Sequence, residues 1–201
     1  MFVSFDGVDG TGKSTQVELF VAWLRRQGRE VVQCRDPGAT PLGDELRKIL
    51  LHRGDLNLQR RSEMLLYMAA RAQLVEEVIR PALAAGKTVV SDRYLLANIV
   101  YQGYAGGLDI DSIRQVGRVA TDGLSPDLTL VLDMPASAAA ARIGRELDRM
   151  ESQGLDFLEA VRRGFLDEAP RLGPRVRIVD AQGTRDEVHA RVLEAWRSAA
   201  G

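Results

Sequence analysis

Gly7-Val8-Asp9-Gly10-Thr11-Gly12-Lys13-Ser14 follows the pattern G-x-x-x-x-G-K-[ST] near the start of the chain. Ahead of it, Met1-Phe2-Val3-Ser4-Phe5 reads as a short buried strand. Behind it, from Thr15 to Arg26, apolar Val17, Phe20, Val21 and Leu24 recur at helical spacing. Strand, glycine loop and helix in that order are the context in which the pattern holds phosphate. The glycines let the backbone wrap closely, so the N–H groups up to Thr15 can converge on one phosphate chain. The helix N-terminus adds partial positive charge, Lys13 a full one, and the Ser14 hydroxyl can ligate magnesium. A glycine-rich surface turn is the plain alternative, and the flanking elements weigh against it. The stretch reads as a nucleoside-triphosphate site.

Outward from the loop, short apolar runs at 2–6, 30–35, 87–92, 128–133 and 176–180 read as strands buried on both faces of a parallel sheet. Helical patterns lie between them at about 13–27, 41–52, 59–84, 95–103, 109–122, 135–150, 155–170 and 184–198. That alternation predicts an α/β fold, a five-stranded parallel sheet with helices on both faces and right-handed crossovers. Ligands of such sheets sit at the carboxyl ends of the strands. The 201 residues suit one domain, 1–201, with a small mobile insertion.

Composition narrows the class. Twenty-seven Lys and Arg against 28 Asp and Glu give a net charge of −1, which draws the chain to neither nucleic acid nor an anionic membrane. The single cysteine, Cys34, excludes an internal disulfide, and its apolar run Val31-Val32-Gln33-Cys34 predicts a buried strand residue. No leader segment and no membrane-spanning run are visible, so the expectation is a soluble, cytoplasmic protein.

Several constellations follow the predicted strands. Asp36 and Pro37 follow the second, and Arg47 lies on the next helix, so Asp36 and Arg47 become candidates for substrate contact. Tyr67 and Arg71 are four residues apart on one helical face, able to stack on a base and bond its edge. An unrelated core Tyr and surface Arg would look the same. Asp92, closing the third strand, suits magnesium, and Arg93 beside it can grip a phosphate in bidentate fashion. Asn98, Tyr101 and Gln102 then share a face that could read a heterocycle, although such polar faces are usually only solvated. The charged stretch 142–154 has few apolar anchors and reads as a mobile lid, with Arg142, Arg145 and Arg149 on one face to stabilise transferring phosphate charge.

Taken together, these pieces resemble the thymidylate kinase family. The matching segments are Phe5-Asp6-Gly7-Val8-Asp9-Gly10-Thr11-Gly12-Lys13-Ser14-Thr15, Arg35-Asp36-Pro37-Gly38, Tyr67-Met68-Ala69-Ala70-Arg71, Asp92-Arg93-Tyr94 and Tyr101-Gln102-Gly103. Pro126-Asp127-Leu128-Thr129 and Asp148-Arg149-Met150-Glu151 complete a series that runs across almost the whole chain. The resemblance implies a P-loop kinase fold with a lid of the bacterial, arginine-bearing type. It also implies transfer of phosphate from ATP, with Mg2+, to dTMP in a homodimer. By that likeness Asp9 would contact the deoxyribose 3′-hydroxyl or the magnesium shell, and Arg47 and Arg93 would hold the dTMP phosphate. Tyr67 would stack on thymine, Arg71 would bond its O4, and Asn98 and Gln102 would read its remaining polar edge. Tyr101 would exclude a ribose 2′-hydroxyl, Pro37 would shape the pocket near the methyl group, and Ala181 and Gln182 would lie beside adenine.

Asp6 and Asp36 stand where the family usually has glutamate, Ala97 replaces a frequent serine and Gly106 a frequent arginine. Gly10 stands where some members carry an arginine that reaches the ATP phosphates, so the lid arginines are expected to supply that charge. A kinase for another nucleotide or nucleoside, or a nucleotide-dependent switch without transfer activity, remain the alternatives.

Overall fold

The computed structural model describes residues 1–53, 55–144 and 148–200. Five strands form one parallel sheet: β1 (Phe2–Gly7), β2 (Val31–Arg35), β3 (Thr88–Asp92), β4 (Leu128–Asp133) and β5 (Val176–Asp180). Their spatial order is β2-β3-β1-β4-β5. The strand that carries the glycine loop is therefore central, between β3 and β4. All six residues of β1 are buried, and because successive side chains point to opposite faces, both faces of the sheet's centre are covered. The two edge strands depart from the expectation of burial on both faces. Gln33 and Arg35 of β2 and Ile178 of β5 are exposed, as fits strands with a neighbour on one side only. Cys34 is buried, and burial pushes its thiol up to about 12, which leaves it a packing group.

The helices are α1 (Lys13–Arg26), α2 (Pro41–His52), α3 (Arg60–Leu74), α4 (Arg80–Ala84), α5 (Leu95–Asn98), α6 (Ile110–Thr121), α7 (Ala136–Ala141), α8 (Leu155–Leu172) and α9 (Arg185–Ala200). The predicted apolar stripe of α1, Val17, Phe20, Val21 and Leu24, is buried, and Phe20 meets Trp196 of α9 edge-on at 5.2 Å. A π turn at Val75–Ile79 joins α3 to α4, and a second at Ile99–Tyr104 extends α5.

The largest departure from the sequence reading lies at 135–150. The helix predicted there ends at Ala141, and Ile143, Gly144 and Asp148 are not helical. Six small residues, Ala-Ser-Ala-Ala-Ala-Ala, hold α7 together, whereas the charged stretch after it has little apolar surface to bury. Arg142 and Arg149 therefore do not share a helical face. Arg145 falls outside the described residues.

Candidate active site

The carboxyl ends of β1, β2 and β3 open into one cavity of about 520 Å³. Of the residues expected to bind ligand, Asp9, Gly10, Gly12, Lys13, Ser14 and Thr15 line one part of it. Asp36, Pro37, Arg47, Tyr67, Arg71, Asn98 and Gln102 line another, and Asp92, Arg93, Tyr101 and Arg142 also face it. Gly7, Val8, Thr11, Arg149, Ala181 and Gln182 do not form its wall.

The glycine loop is organised around one carbonyl. Val8 O accepts from Thr11 Oγ1 at 2.8 Å and from Lys13 Nζ at 2.9 Å, so the lysine folds back over its own loop. Gly12, with φ +89°, precedes α1 in the left-handed conformation that a glycine adopts without strain. Gly10, at φ +86°, is more restricted. A Cβ there would stand 2.0 Å from Ala139 O and 3.2 Å from Ile143 Cγ1, so α7 and the turn after it leave no room for a side chain. An arginine at this position cannot be accommodated by this backbone. Ser14 Oγ donates to Asp92 Oδ2 at 2.7 Å. A hydroxyl and a carboxylate side by side at the loop suit Mg2+, which takes one or two protein oxygens and completes its shell with phosphate and water. Asp9 fits that set less well, because both its oxygens are engaged elsewhere.

Asp9, Arg93 and Tyr101 form the electrostatic centre. Arg93 Nη2 donates to Asp9 Oδ1 at 2.5 Å and to Tyr101 Oη at 3.1 Å, and Tyr101 Oη donates to Asp9 Oδ2 at 2.8 Å. The guanidinium also lies over the Tyr101 ring, 4.9 Å from its centroid. Burial alone would raise the Asp9 carboxyl, but Arg93 and Lys13, with the Tyr101 hydrogen bond, hold it well below its usual range. Burial lowers Lys13 and the neighbouring Arg93 lowers it further, against the pull of Asp9 and Asp92. Arg93 adopts φ +72°, uncommon for a residue with a side chain, just after β3. Its own N–H bonds to Phe5 O at 2.8 Å, which anchors the turn to β1. A strained backbone at a site wall is the local signature of a positioned group.

Beneath the loop lies a group whose role sequence reading did not reach. Both carboxyl oxygens of Asp6 are buried without a hydrogen-bond partner among the described residues. Burial raises it to about 7, with Arg93 and Lys13 opposing and Asp92 reinforcing the shift. Only its place three residues before Asp9 on an apolar strand could have marked it.

The far wall is paired in advance. Arg71, 1% exposed, donates through Nε to Asp36 Oδ2 at 2.5 Å and through Nη2 to Tyr94 O at 3.3 Å. Asp36 therefore serves the cavity by fixing Arg71. Arg47 donates to Pro37 O at 3.1 Å, and burial, then the like charges of Arg35 and Arg93, lower its pKa, as befits a cation cluster awaiting an anion. Burial, then Glu63, raise the Tyr67 phenol, so it stays neutral. Asn98 Nδ2 donates to Gln102 Oε1 at 2.8 Å, and Gln102 Nε2 donates to Glu63 Oε1 at 2.8 Å. Glu63 was missed in the sequence, although it precedes Tyr67 by four residues and Arg71 by eight, the spacing of one helical face.

The lid segment divides its arginines. Arg142 is exposed, lines the cavity and donates to Ala181 O at 3.2 Å, which ties it to the loop after β5. Gln182 in that loop is exposed, and its carbonyl accepts from Arg191 Nη1 at 2.5 Å. Arg149 turns the other way. Its Nε donates to Leu50 O at 2.8 Å at the end of α2, and its Nη2 pairs with Glu63.

Comparison with known proteins gives one family. The model described as Thymidylate kinase matches residues 5–192. The chain is 50% identical over 186 residues to a thymidylate kinase of Rhodopirellula baltica, covering 92% of this chain and 76% of that protein. It is 43% identical over 198 residues to a thymidylate kinase of Kosmotoga olearia, covering 98% and 95% respectively. A crystal structure of thymidylate kinase from Ehrlichia chaffeensis matches with a TM-score of 0.80 and 30% identity, over 98% of both chains.

Proposed function

The chain belongs to the thymidylate kinase family, and we propose how its residues share the transfer of the γ-phosphate of ATP to dTMP, giving ADP and dTDP. It is an ATP-dependent phosphotransferase of the P-loop kinase fold, acting on dTMP. The observation that carries the residue assignment is one cavity lined both by the phosphate loop and by Tyr67, Arg71, Asn98 and Gln102.

In the proposal, the Gly7–Thr15 loop wraps the ATP phosphates, and the loop at Ala181 and Gln182 borders the adenine. Arg142 joins that loop to the cavity. Tyr67 stacks on thymine, Arg71 donates to O4 from its anchorage on Asp36, and Pro37 lies near the methyl group. Asn98 and Gln102 face the rest of the base edge. Arg47 and Arg93 hold the dTMP phosphate, and Tyr101 occupies the space that a ribose 2′-hydroxyl would need. The dTMP phosphate oxygen is already a nucleophile near neutral pH, so catalysis rests on alignment and charge, without a strong base. Asp9, held anionic by Arg93 and Lys13, orients those two cations and can accept from the 3′-hydroxyl. Lys13, Arg93 and Arg142 surround the transferring group. Ser14 and Asp92 would hold Mg2+, which when bound offsets charge on the β- and γ-phosphates.

The reading extends to a homodimer in the cytoplasm, as the resemblance implies, and size-exclusion chromatography with light scattering tests the first part. Among the described residues no helix is long and apolar enough to cross a membrane. The activity itself is tested by ADP release across dTMP, dUMP, dCMP, dGMP and thymidine. The expected preference is for dTMP; a faster reaction with another acceptor would reassign the base slot.

A further inference from the structure

Glu63 lies behind the cavity wall and does not line it, yet it touches both the base-facing amides and the lid segment. It is 4% exposed, and its two oxygens have different partners. Oε1 accepts from Gln102 Nε2 at 2.8 Å, while Oε2 pairs with Arg149. A carboxylate in an ion pair has only acceptors to offer. Gln102 must therefore turn its NH2 group toward Glu63, which leaves its carbonyl oxygen facing Asn98. Asn98 must in turn present its own NH2 group, at 2.8 Å, and its Oδ1 is left over. That oxygen is buried and has no hydrogen-bond partner among the described residues, and Asn98 forms part of the cavity wall. Buried polar atoms are rarely left unpaired, so this one points to a ligand that brings a donor.

We propose that Glu63 is a positioning residue for base selection: it orients the carboxamides of Gln102 and Asn98 in series, so that Asn98 offers an acceptor to the ring N3–H of the bound base. This role rests on the thymine reading of the cavity. Thymine and uracil carry N3–H, whereas cytosine has a lone pair at N3 and is repelled by a fixed acceptor. Without a carboxylate at the end of the relay, both amides can turn over together and present an Asn98 NH2 group, which donates to cytosine N3. Arg149 holds the far oxygen of Glu63 from the lid side, so the relay is braced at a point remote from the base.

The test is Glu63→Gln, near-isosteric but able to donate as well as accept, with kcat/KM measured for dTMP, dUMP and dCMP. A mismatched buried hydrogen bond is worth about tenfold or more. The expected result is a fall of about tenfold in the dTMP to dCMP ratio, with the dTMP to dUMP ratio held within about twofold, since those bases share N3–H. In an Asn98→Ala background, the same Glu63→Gln change should leave the dTMP to dCMP ratio unmoved. A purely structural Glu63 would slow all three substrates alike and would do so in either background, and that outcome overturns the proposal. If Glu63→Gln does not fold, Gln102→Leu cuts the relay at its middle and must lower the same ratio; an undiminished ratio sinks the idea. Failure of the unaltered enzyme to act on dTMP would instead remove the underlying base reading and this role with it.

Discussion

The base wall and the lid segment solve one problem in opposite ways. On the base wall, buried polar side chains are fixed by one another before any ligand arrives: Arg71 by Asp36, Asn98 by Gln102, and Gln102 by Glu63. On the lid side, Arg142 is exposed and, among the described residues, donates to a backbone carbonyl, Ala181 O. A group that must discriminate one base from another gains from fixed donors and acceptors, because a mismatch then leaves a buried atom unpaired. A group that neutralises charge appearing only during transfer can remain in water until it is needed. Arg149 crosses the divide, since it belongs to the lid segment by sequence but is paired with Glu63 on the base side.

The comparison is tested most severely at Lys13, which belongs to neither half and should matter to both reaction and binding of triphosphate. Lys13→Ala is expected to lower kcat by about 10²–10³-fold or more, with an unchanged thermal transition. Near-normal turnover would remove the loop from the mechanism. Next is the base wall. Arg71→Ala leaves Asp36 buried and unpaired, which should cost about 3–5 kcal/mol of unfolding free energy as well as dTMP affinity. Urea titration reads the first and KM the second; a loss of affinity with full stability would show that the wall is not prepaired as described.

Asp6 makes the same point through pH. Its folded-state value is raised to about 7 by burial, from an ordinary 3.8 in the unfolded chain. The folded protein therefore keeps a proton that the unfolded chain releases, and stability is lost as pH rises from about 4 through 7. Asp6→Asn should thus raise the free energy of unfolding, read by urea titration, more at pH 8 than at pH 5, by at most about 4 kcal/mol at the higher pH. An equal effect at both pH values would mean that the carboxyl titrates normally. The smallest expected change is Arg142→Ala, at an exposed position. Stability should stay within about 0.5 kcal/mol while kcat falls about tenfold. If turnover does not fall, the charge absent at Gly10 is not supplied from Arg142.

Much of this was legible in advance. All five strands lie within one residue of their predicted limits, because apolar runs bounded by turns and long helical patterns leave few other readings. The glycine loop announced itself by pattern and context. The predicted helix over 135–150 failed because charge spacing alone says nothing about whether a face finds something to pack against. Spacing on one continuous helix puts the lid arginines in a row, whereas the shortened α7 separates Arg142 from Arg149.

What the sequence determined by itself was the fold class, the phosphate loop and the side-chain chemistry that gathers at the carboxyl edge of the sheet. Those depend on local order along the chain: glycine spacing, apolar periodicity, and polar residues placed just after strands. Partnership was decided only by the tertiary structure. Asp36 meets Arg71 across 35 positions, Asp9 meets Arg93 across 84 and Glu63 meets Arg149 across 86. No periodicity links residues so far apart. The sheet order β2-β3-β1-β4-β5 brings the ends of β1, β2 and β3 together and so chooses which charges meet. Gly10 shows the same division, since its glycine is plain in the sequence but the carbonyl of Ala139 that forbids anything larger comes from another part of the chain.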